Sequence, residues 1–277
     1  SSRLSALDQD WRTVTRNGYG LFVIAGDSSG INTSSNGKQW YASGNSTTFG
    51  DIKGIVGMGT HTVLVGASGT CGFSTNGRTF SKSTVYRRRN VFPLVFWDDI
   101  TLAGDMNALA YGDGIGVAVG AAGSIMFTKP GAAGFGTAFE LAQKFSSTNL
   151  NGVGNNGNVF VAVGVNGEML RSPNGENYTG VTTTTVSTTL NDVTYADGKW
   201  IAVGVAGTII KSTDDGQNWA VVSAGGTFDL NKVGYANSVF VAVGQSGMVM
   251  NSVDGTNWYK KFIGVGTDFA GLAFGDN

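Results

Sequence analysis

Leu190-Asn-Asp-Val-Thr-Tyr195, Lys199-Trp-Ile-Ala-Val-Gly204, Gly207-Thr-Ile-Ile-Lys-Ser212 and Asp214-Asp-Gly216-Gln-Asn-Trp219 follow one another in the second half of the chain. The same phrases then return as Leu230-Asn-Lys-Val-Gly-Tyr235, Val239-Phe-Val-Ala-Val-Gly244, Gly247-Met-Val-Met-Asn-Ser252 and Asp254-Gly-Thr-Asn-Trp258. Working outward, the glycine that closes each Val-Ala-Val-Gly-like segment recurs as Gly26, Gly66, Gly120, Gly164, Gly204 and Gly244, spaced 40, 54, 44, 40 and 40 residues. Self-similarity at such a period signals a repeat architecture. Within a copy, apolar residues alternate or run for a few positions, and Gly, Asn or Asp punctuates every eight to ten residues, which is the pattern of short strands joined by tight turns. Four strands are expected per copy: a over Leu190–Tyr195, b over Lys199–Gly204, c over Thr208–Ser212 and d over Asn218–Val222. Turns this short force antiparallel neighbours, and four-stranded antiparallel units repeated along a chain are the blades of a β-propeller. The expected fold is therefore all-β, a single propeller domain over residues 1–277. It has six blades, or seven if the partial unit Phe269-Ala-Gly-Leu-Ala-Phe274 and residues 1–10 complete another.

Composition narrows the function. Of 277 residues 44 are Gly and only 13% are charged, yet 41% are hydrophobic, enough to form a core. Eighteen basic against nineteen acidic side chains leave no global field to attract nucleic acid or an anionic membrane. One cysteine, Cys71, and one histidine, His61, cannot furnish the ligand sets of zinc or iron sites, so neither metal nor cofactor is expected. No apolar run is long enough to insert into a bilayer, and Ser1-Ser-Arg-Leu-Ser5 does not read as a signal peptide.

Ser212-Thr-Asp214-Asp-Gly216-Gln-Asn-Trp219 resembles the Asp-box, or BNR, repeat of sialidase-like propellers. Looser copies place Asn36 and Trp40, Asn76 and Phe80, Asn174 and Tyr178, and Asp254 and Trp258 at the corresponding positions. The resemblance implies that the box holds the turn between strands c and d, away from any ligand site, and takes no part in catalysis. The third copy, Thr128-Lys-Pro-Gly131, has lost most of the motif. The longer phrase, Val-Ala-Val-Gly followed by the Ser-x-Asp-Gly turn, is similar to repeat propellers of phage virion and bacterial exported proteins, and more distantly to photosystem assembly-factor propellers. That resemblance implies a non-catalytic virion or tail component, in a virion or extracellular setting. Its partners would be other virion or surface proteins or glycans, with oligomerisation left open.

Departures from the repeat mark candidate sites. The 54-residue spacing places about fourteen extra residues within 81–105, expected as a loop between strand d of copy two and strand a of copy three. It carries Arg87-Arg88-Arg89 beside Val91-Phe-Pro-Leu-Val-Phe96-Trp97-Asp98-Asp99. Arginines with adjacent aromatics can grip a carboxylate or phosphate and stack a sugar, or cover a protein partner, or simply pack on a blade edge. A polar position at the start of strand a recurs as Asn107, Asn151, Asn191 and Asn231, suited to lining a channel mouth or to bonding between blades. Ala138-Phe-Glu-Leu-Ala-Gln-Lys-Phe145 has partly helical spacing and is expected as a short turn of helix.

Sialidase-type hydrolysis would need three arginines converging on a carboxylate, a Tyr–Glu pair and an acid. Of the eight arginines three lie near the N-terminus and three form the run 87–89, none is expected at the start of a later strand a, and the only glutamates are Glu140, Glu168 and Glu176, none expected on an inner strand. No pair of carboxylates at the separation glycoside hydrolysis requires is evident. The expected function is non-enzymatic docking, with a glycoside-processing propeller and an assembly factor as the alternatives.

Overall fold

The computed structural model describes residues 10–44, 48–59, 61–91, 94–100, 102, 104–128, 138–142, 146–181, 186–223, 226–262 and 266–274. The fold is all-β, with six four-stranded antiparallel blades of a propeller. The chain divides into two compact units, Ser1–Lys144 with blades one to three and Phe145–Asn277 with blades four to six. Blade five shows the pattern: Leu190–Ala196, Lys199–Gly204, Ile209–Ser212 and Ala220–Ser223 pair in chain order. The first strand of each blade is the inner one, packing in both units against the first strand of the next blade.

The cores lie between blades. Val161, Val163, Val193, Trp200, Ala202, Ile210 and Trp219 fill the gap between blades four and five, and Ile201, Val203, Val233, Phe240 and Met248 the gap between five and six. In unit one, Val23, Ala25, Ile52 and Leu64 join blades one and two, while Val63, Val65, Ala118 and Met126 join two and three. A b strand is thus covered on both faces, which is why Trp200-Ile-Ala-Val is a continuous apolar run rather than an alternating one.

The closing glycine of strand b is fixed by contact. A Cβ on Gly204 would lie 2.1 Å from the carbonyl oxygen of Thr189, and one on Gly66 2.0 Å from that of Asp51. Its backbone is extended, so glycine is required for the close approach of two chains and not for an unusual φ. The next residues make a tight b–c turn whose second residue, such as Ser28, Ser68, Ala206 or Ser246, has φ near +50°, a sparsely populated region for a side chain.

Two expectations are corrected. The segment within 81–105 is not a loop: Thr84–Val91 and Leu94–Ile100 form an antiparallel hairpin. Its first strand pairs in parallel with Ala138–Leu141, so the sheet of blade three has six strands with the hairpin outermost. The expected helical turn over 138–145 is, at Ala138–Leu141, the fourth strand of blade three, pairing Phe127 with Glu140 and Met126 with Leu141. Phe139 and Ala142 are buried, and cross-strand pairing overrides the local helical spacing. Residues 182–185 of the threonine run lie outside the described residues.

Candidate functional site

The hairpin places the five inserted candidates on regular strands. Arg87 pairs with Asp98, Arg88 with Trp97 and Arg89 with Phe96. Successive strand positions alternate between faces, so positions 87, 89 and 96 fall on one face and 88 and 97 on the other. The hairpin is anchored at its base, where Val85 is buried in the core between blades two and three. Its outer strand, Leu94–Ile100, ends the strand order of its sheet and pairs only with Thr84–Val91 among the described residues.

The recurrent asparagines are used elsewhere. Every inner strand carries a β-bulge at its second residue, as the register shifts between Leu150 and Gly152, Leu190 and Asp192, and Leu230 and Lys232 show. A bulge re-aims the side chain of its extra residue. Asn151 Nδ2 donates to the carbonyl of Leu190, Asn191 Nδ2 to that of Leu230 and Asn231 Nδ2 to that of Phe269, each at 2.9 Å. These side chains clasp the next inner strand. In the other unit the same position holds Arg12, paired with Asp27, and Lys53, whose Nζ donates to Asp105 Oδ2 at 2.6 Å and to Asn107 Oδ1 at 3.4 Å. Asn107, on the inner strand of blade three, is separated from the hairpin by the whole width of the sheet. Four strand spacings to Arg87–Arg89 amount to about 19 Å and five to Phe96 and Trp97 to about 24 Å, so Asn107 does not share a site with them.

Sequence reasoning missed the residue just before each inner strand. Asp51 Oδ1 accepts from the backbone N–H of Ser28 at 3.0 Å, Asp105 from Ser68 at 3.0 Å, Asp229 from Ala206 at 2.9 Å and Asp268 from Ser246 at 2.9 Å. The donor is each time the b–c turn residue with positive φ, so the next blade holds the strained turn in place. The signal, Asp before an apolar residue, stands in the sequence at 51, 105, 229 and 268, while Asn149 and Thr189 take the position before the inner strands of blades four and five.

The Ser-x-Asx-Gly turns share one bonding pattern. Ser212 Oγ donates to Asp214 Oδ1 at 2.8 Å and accepts from the Gly216 N–H at 3.1 Å, while the Asn218 N–H donates to the same carboxylate at 2.9 Å. Ser252 and Asp254 repeat this, with Thr256 and Asn257 amides donating at 2.8 and 2.7 Å. Asn36, Asn76 and Asn174 do the same through their amide oxygens. Burial opposes ionisation of Asp214, but the bonds from Asn218 outweigh it, and the amides of Asn257 and Thr256 hold Asp254 well below the usual carboxylate range. Gly216 and Gly255 sit at φ +74° and +67°, which glycine adopts without strain. The tryptophans seal the turn, Trp219 Nε1 donating to the Gly216 carbonyl at 3.0 Å, and Trp40 and Trp258 to Gly37 and Gly255, both at 3.2 Å. Phe80 and Tyr178 cannot, and the buried Tyr178 hydroxyl has no partner among the described residues. In blade three Thr128 takes the serine position and its Oγ1 accepts from the Gly116 N–H at 2.9 Å.

The candidate acid–base residues sit on separate elements. Glu140 is on the fourth strand of blade three, while Glu168 and Glu176 lie in turns. His61 opens strand b of blade two. On the inner strands Asp192 faces Lys232 at 3.7 Å, and its carboxyl accepts from the Val233 N–H at 3.0 Å. Burial pushes this carboxyl upward, opposed by Lys232 and the backbone bonds. Among the described residues no cluster of His, Cys, Asp or Glu could hold a metal ion.

No protein-family model and no curated protein sequence matches the chain. Solved structures do. YCF48 bound to D1 peptide superposes with a TM-score of 0.67 at 17% identity, over 94% of this chain and 85% of that one. YCF48 from Cyanidioschyzon merolae gives 0.65 at 13%, covering 95% and 88%. The WD40 β-propeller domain of Doa1 gives 0.67 at 12%, covering 97% and 87%. At these identities the likeness is one of fold.

Proposed function

We propose that this protein is a non-catalytic propeller that docks a partner protein, as a virion or tail component of a phage, and that the hairpin of blade three is its contact. The observation that carries this is the hairpin itself. The candidate positions that recur in the repeat serve contacts within and between blades, whereas residues 84–100 add two strands beyond what a blade needs and end in a strand edge. A strand edge beside arginines and aromatics suits protein recognition, since Arg, Trp and Phe are enriched where partners bury surface. A propeller of the same fold has been solved with a peptide partner. The Ser-x-Asx-Gly turns we assign to the Asp-box type, on their serine–carboxylate–glycine–tryptophan bonding.

The test places a photo-crosslinking residue at position 88 and irradiates assembled particles, beside the Arg87→Ala/Arg88→Ala/Arg89→Ala variant on a glycan array. Adducts with another particle protein, and no glycan signal that the variant loses, are expected. Selective glycan binding lost in a folded variant would replace protein docking by receptor binding, and the absence of any adduct would overturn the reading.

A further inference from the structure

The Ser-x-Asx-Gly turns of blades one, two and four carry an amide where those of blades five and six carry a carboxylate, yet the turn of blade four is arranged for the carboxylate. In blades five and six both oxygens of the acid are used. Oδ1 accepts from backbone N–H groups, while Oδ2 accepts from a side-chain amide, Asn218 Nδ2 on Asp214 at 2.6 Å and Asn257 Nδ2 on Asp254 at 2.7 Å. Blade four keeps that second partner, as Asn177. Asn174 Oδ1 accepts from the Glu176 and Asn177 N–H groups at 3.1 and 2.9 Å, but no bond joins the side-chain amides of Asn174 and Asn177. A donor NH2 stands where the repeat places an acceptor. Blade two resolves the same position otherwise, since Thr79 lies opposite and its Oγ1 accepts from Asn76 Nδ2 at 3.0 Å.

Asn174 precedes Gly175, at φ +70°, and a glycine nitrogen is open to the side chain before it because no Cβ shields it. Six other Asn-Gly pairs begin at residues 17, 36, 76, 151, 156 and 166. In most of them a bond restrains a group that would have to react. The Gly18 N–H donates to Gly59 at 2.9 Å, the Gly37 N–H to Ser34 Oγ at 2.8 Å and the Gly157 N–H to Asn155 Oδ1 at 2.6 Å. The amides of Asn76 and Asn151 donate to Thr79 and to the Leu190 carbonyl. Gly167 is pressed against the Val186 carbonyl oxygen, 2.0 Å from an added Cβ. Neither the Gly175 N–H nor Asn174 Nδ2 has a partner among the described residues, and Asn174 is exposed.

We infer that Asn174 is a self-modifying residue, converted to aspartate by its own turn. The deprotonated Gly175 nitrogen attacks Asn174 Cγ, the Cγ–Nδ2 bond breaks, and the amide nitrogen leaves as ammonia after taking a proton from water. Water then opens the five-membered imide, at Cγ to give aspartate or at the main-chain carbonyl to give isoaspartate. One water enters, one ammonia leaves, and nothing else is consumed. The fold selects aspartate, because only an unaltered backbone keeps the carboxylate on the Glu176 and Asn177 N–H groups. Its new oxygen accepts from Asn177 Nδ2 as Asp214 accepts from Asn218, so blade four acquires a third carboxylate turn. The inference is independent of the hairpin.

The test incubates the whole protein at mildly alkaline pH, folded and in urea, and locates amide-to-acid conversion by tandem mass spectrometry with fragmentation that separates aspartate from isoaspartate. In the folded protein conversion at 174 is expected to outpace that at 36, 76 and 156 by about fivefold, the factor that freedom from one hydrogen bond supplies. Aspartate should be the main product, and in urea the four rates should converge. No conversion at 174, equal rates at the four sites in the folded protein, or isoaspartate as the main product would overturn the inference. As a second measurement, Asn174→Asp should raise the urea midpoint above wild type and lose that gain in an Asn177→Ala background, a cycle that isolates the pair. An Asn174→Asp chain no more stable than wild type would overturn the carboxylate fit.

Discussion

Replacing Asn191 by Ala removes the 2.9 Å bond to the Leu230 carbonyl, the clasp from blade five to blade six. The bond is partly buried, so its loss combines a net contribution of about 1 kcal/mol with part of the cost of leaving a carbonyl unpaired, and about 1–2 kcal/mol is expected. In a domain of this size that corresponds to a fall in Tm of about 3–6 °C. Asn191→Asp is the sharper variant. It keeps the shape but sets an ionised oxygen against the carbonyl, so it should be worse than Ala at pH 7. It should recover part of the loss near pH 3, where a protonated carboxyl can donate. Urea unfolding followed by tryptophan fluorescence reads both, since Trp200 and Trp219 are buried in the interblade core. A constant m-value with a lowered midpoint identifies a change in stability alone. An Ala variant within about 0.3 kcal/mol of wild type, or an Asp variant no worse than Ala at pH 7, would refute the clasp; the first bound lies below any net hydrogen-bond value.

Cys71 is 4% exposed and burial pushes its thiol up to about 12, so at pH 8 only about one molecule in ten thousand carries a thiolate. A thiol reagent should label it after denaturation and not before; rapid native labelling would contradict its burial. Tyr178→Phe removes an unpartnered buried hydroxyl and should leave stability equal or up to about 1 kcal/mol higher, measured by urea midpoint. Gly204→Ala drives a Cβ to 2.1 Å from the Thr189 oxygen and should cost at least about 3 kcal/mol, or prevent folding, as judged by circular dichroism and thermal melts. The depressed carboxyls of Asp214 and Asp254 contribute stability that is fully present above their unfolded value of about 4 and lost as pH falls through the lower folded value. The midpoint difference between wild type and Asp254→Asn should therefore shrink from pH 5 to pH 2.5, and a difference independent of pH would count against it.

The repeat alone determined the all-β class, the four-strand blades and their antiparallel order, because periods of two within a strand and of forty between blades are properties of the residue string. It also marked Gly26 through Gly244 as fixed points, and the asparagines as one recurring position. What those residues do was decided in three dimensions. Asn191 bonds a carbonyl 39 residues away because a bulge turns its side chain toward the neighbouring blade, and nothing local in Leu-Asn-Asp separates that from lining a channel. The insertion within 81–105 became a hairpin, and 138–141 a strand, only because each found an edge to pair with. Helical spacing is a weak local preference beside a ladder of hydrogen bonds and a buried Phe139. The segment at 269–274 carries the sequence of an inner strand, yet only packing could reveal Phe269 bonded to Asn231 and Gly244 of blade six. Sequence fixes what each segment can become, whereas pairing is a contest among edges distant along the chain, and only the folded molecule says which edges are left unpaired.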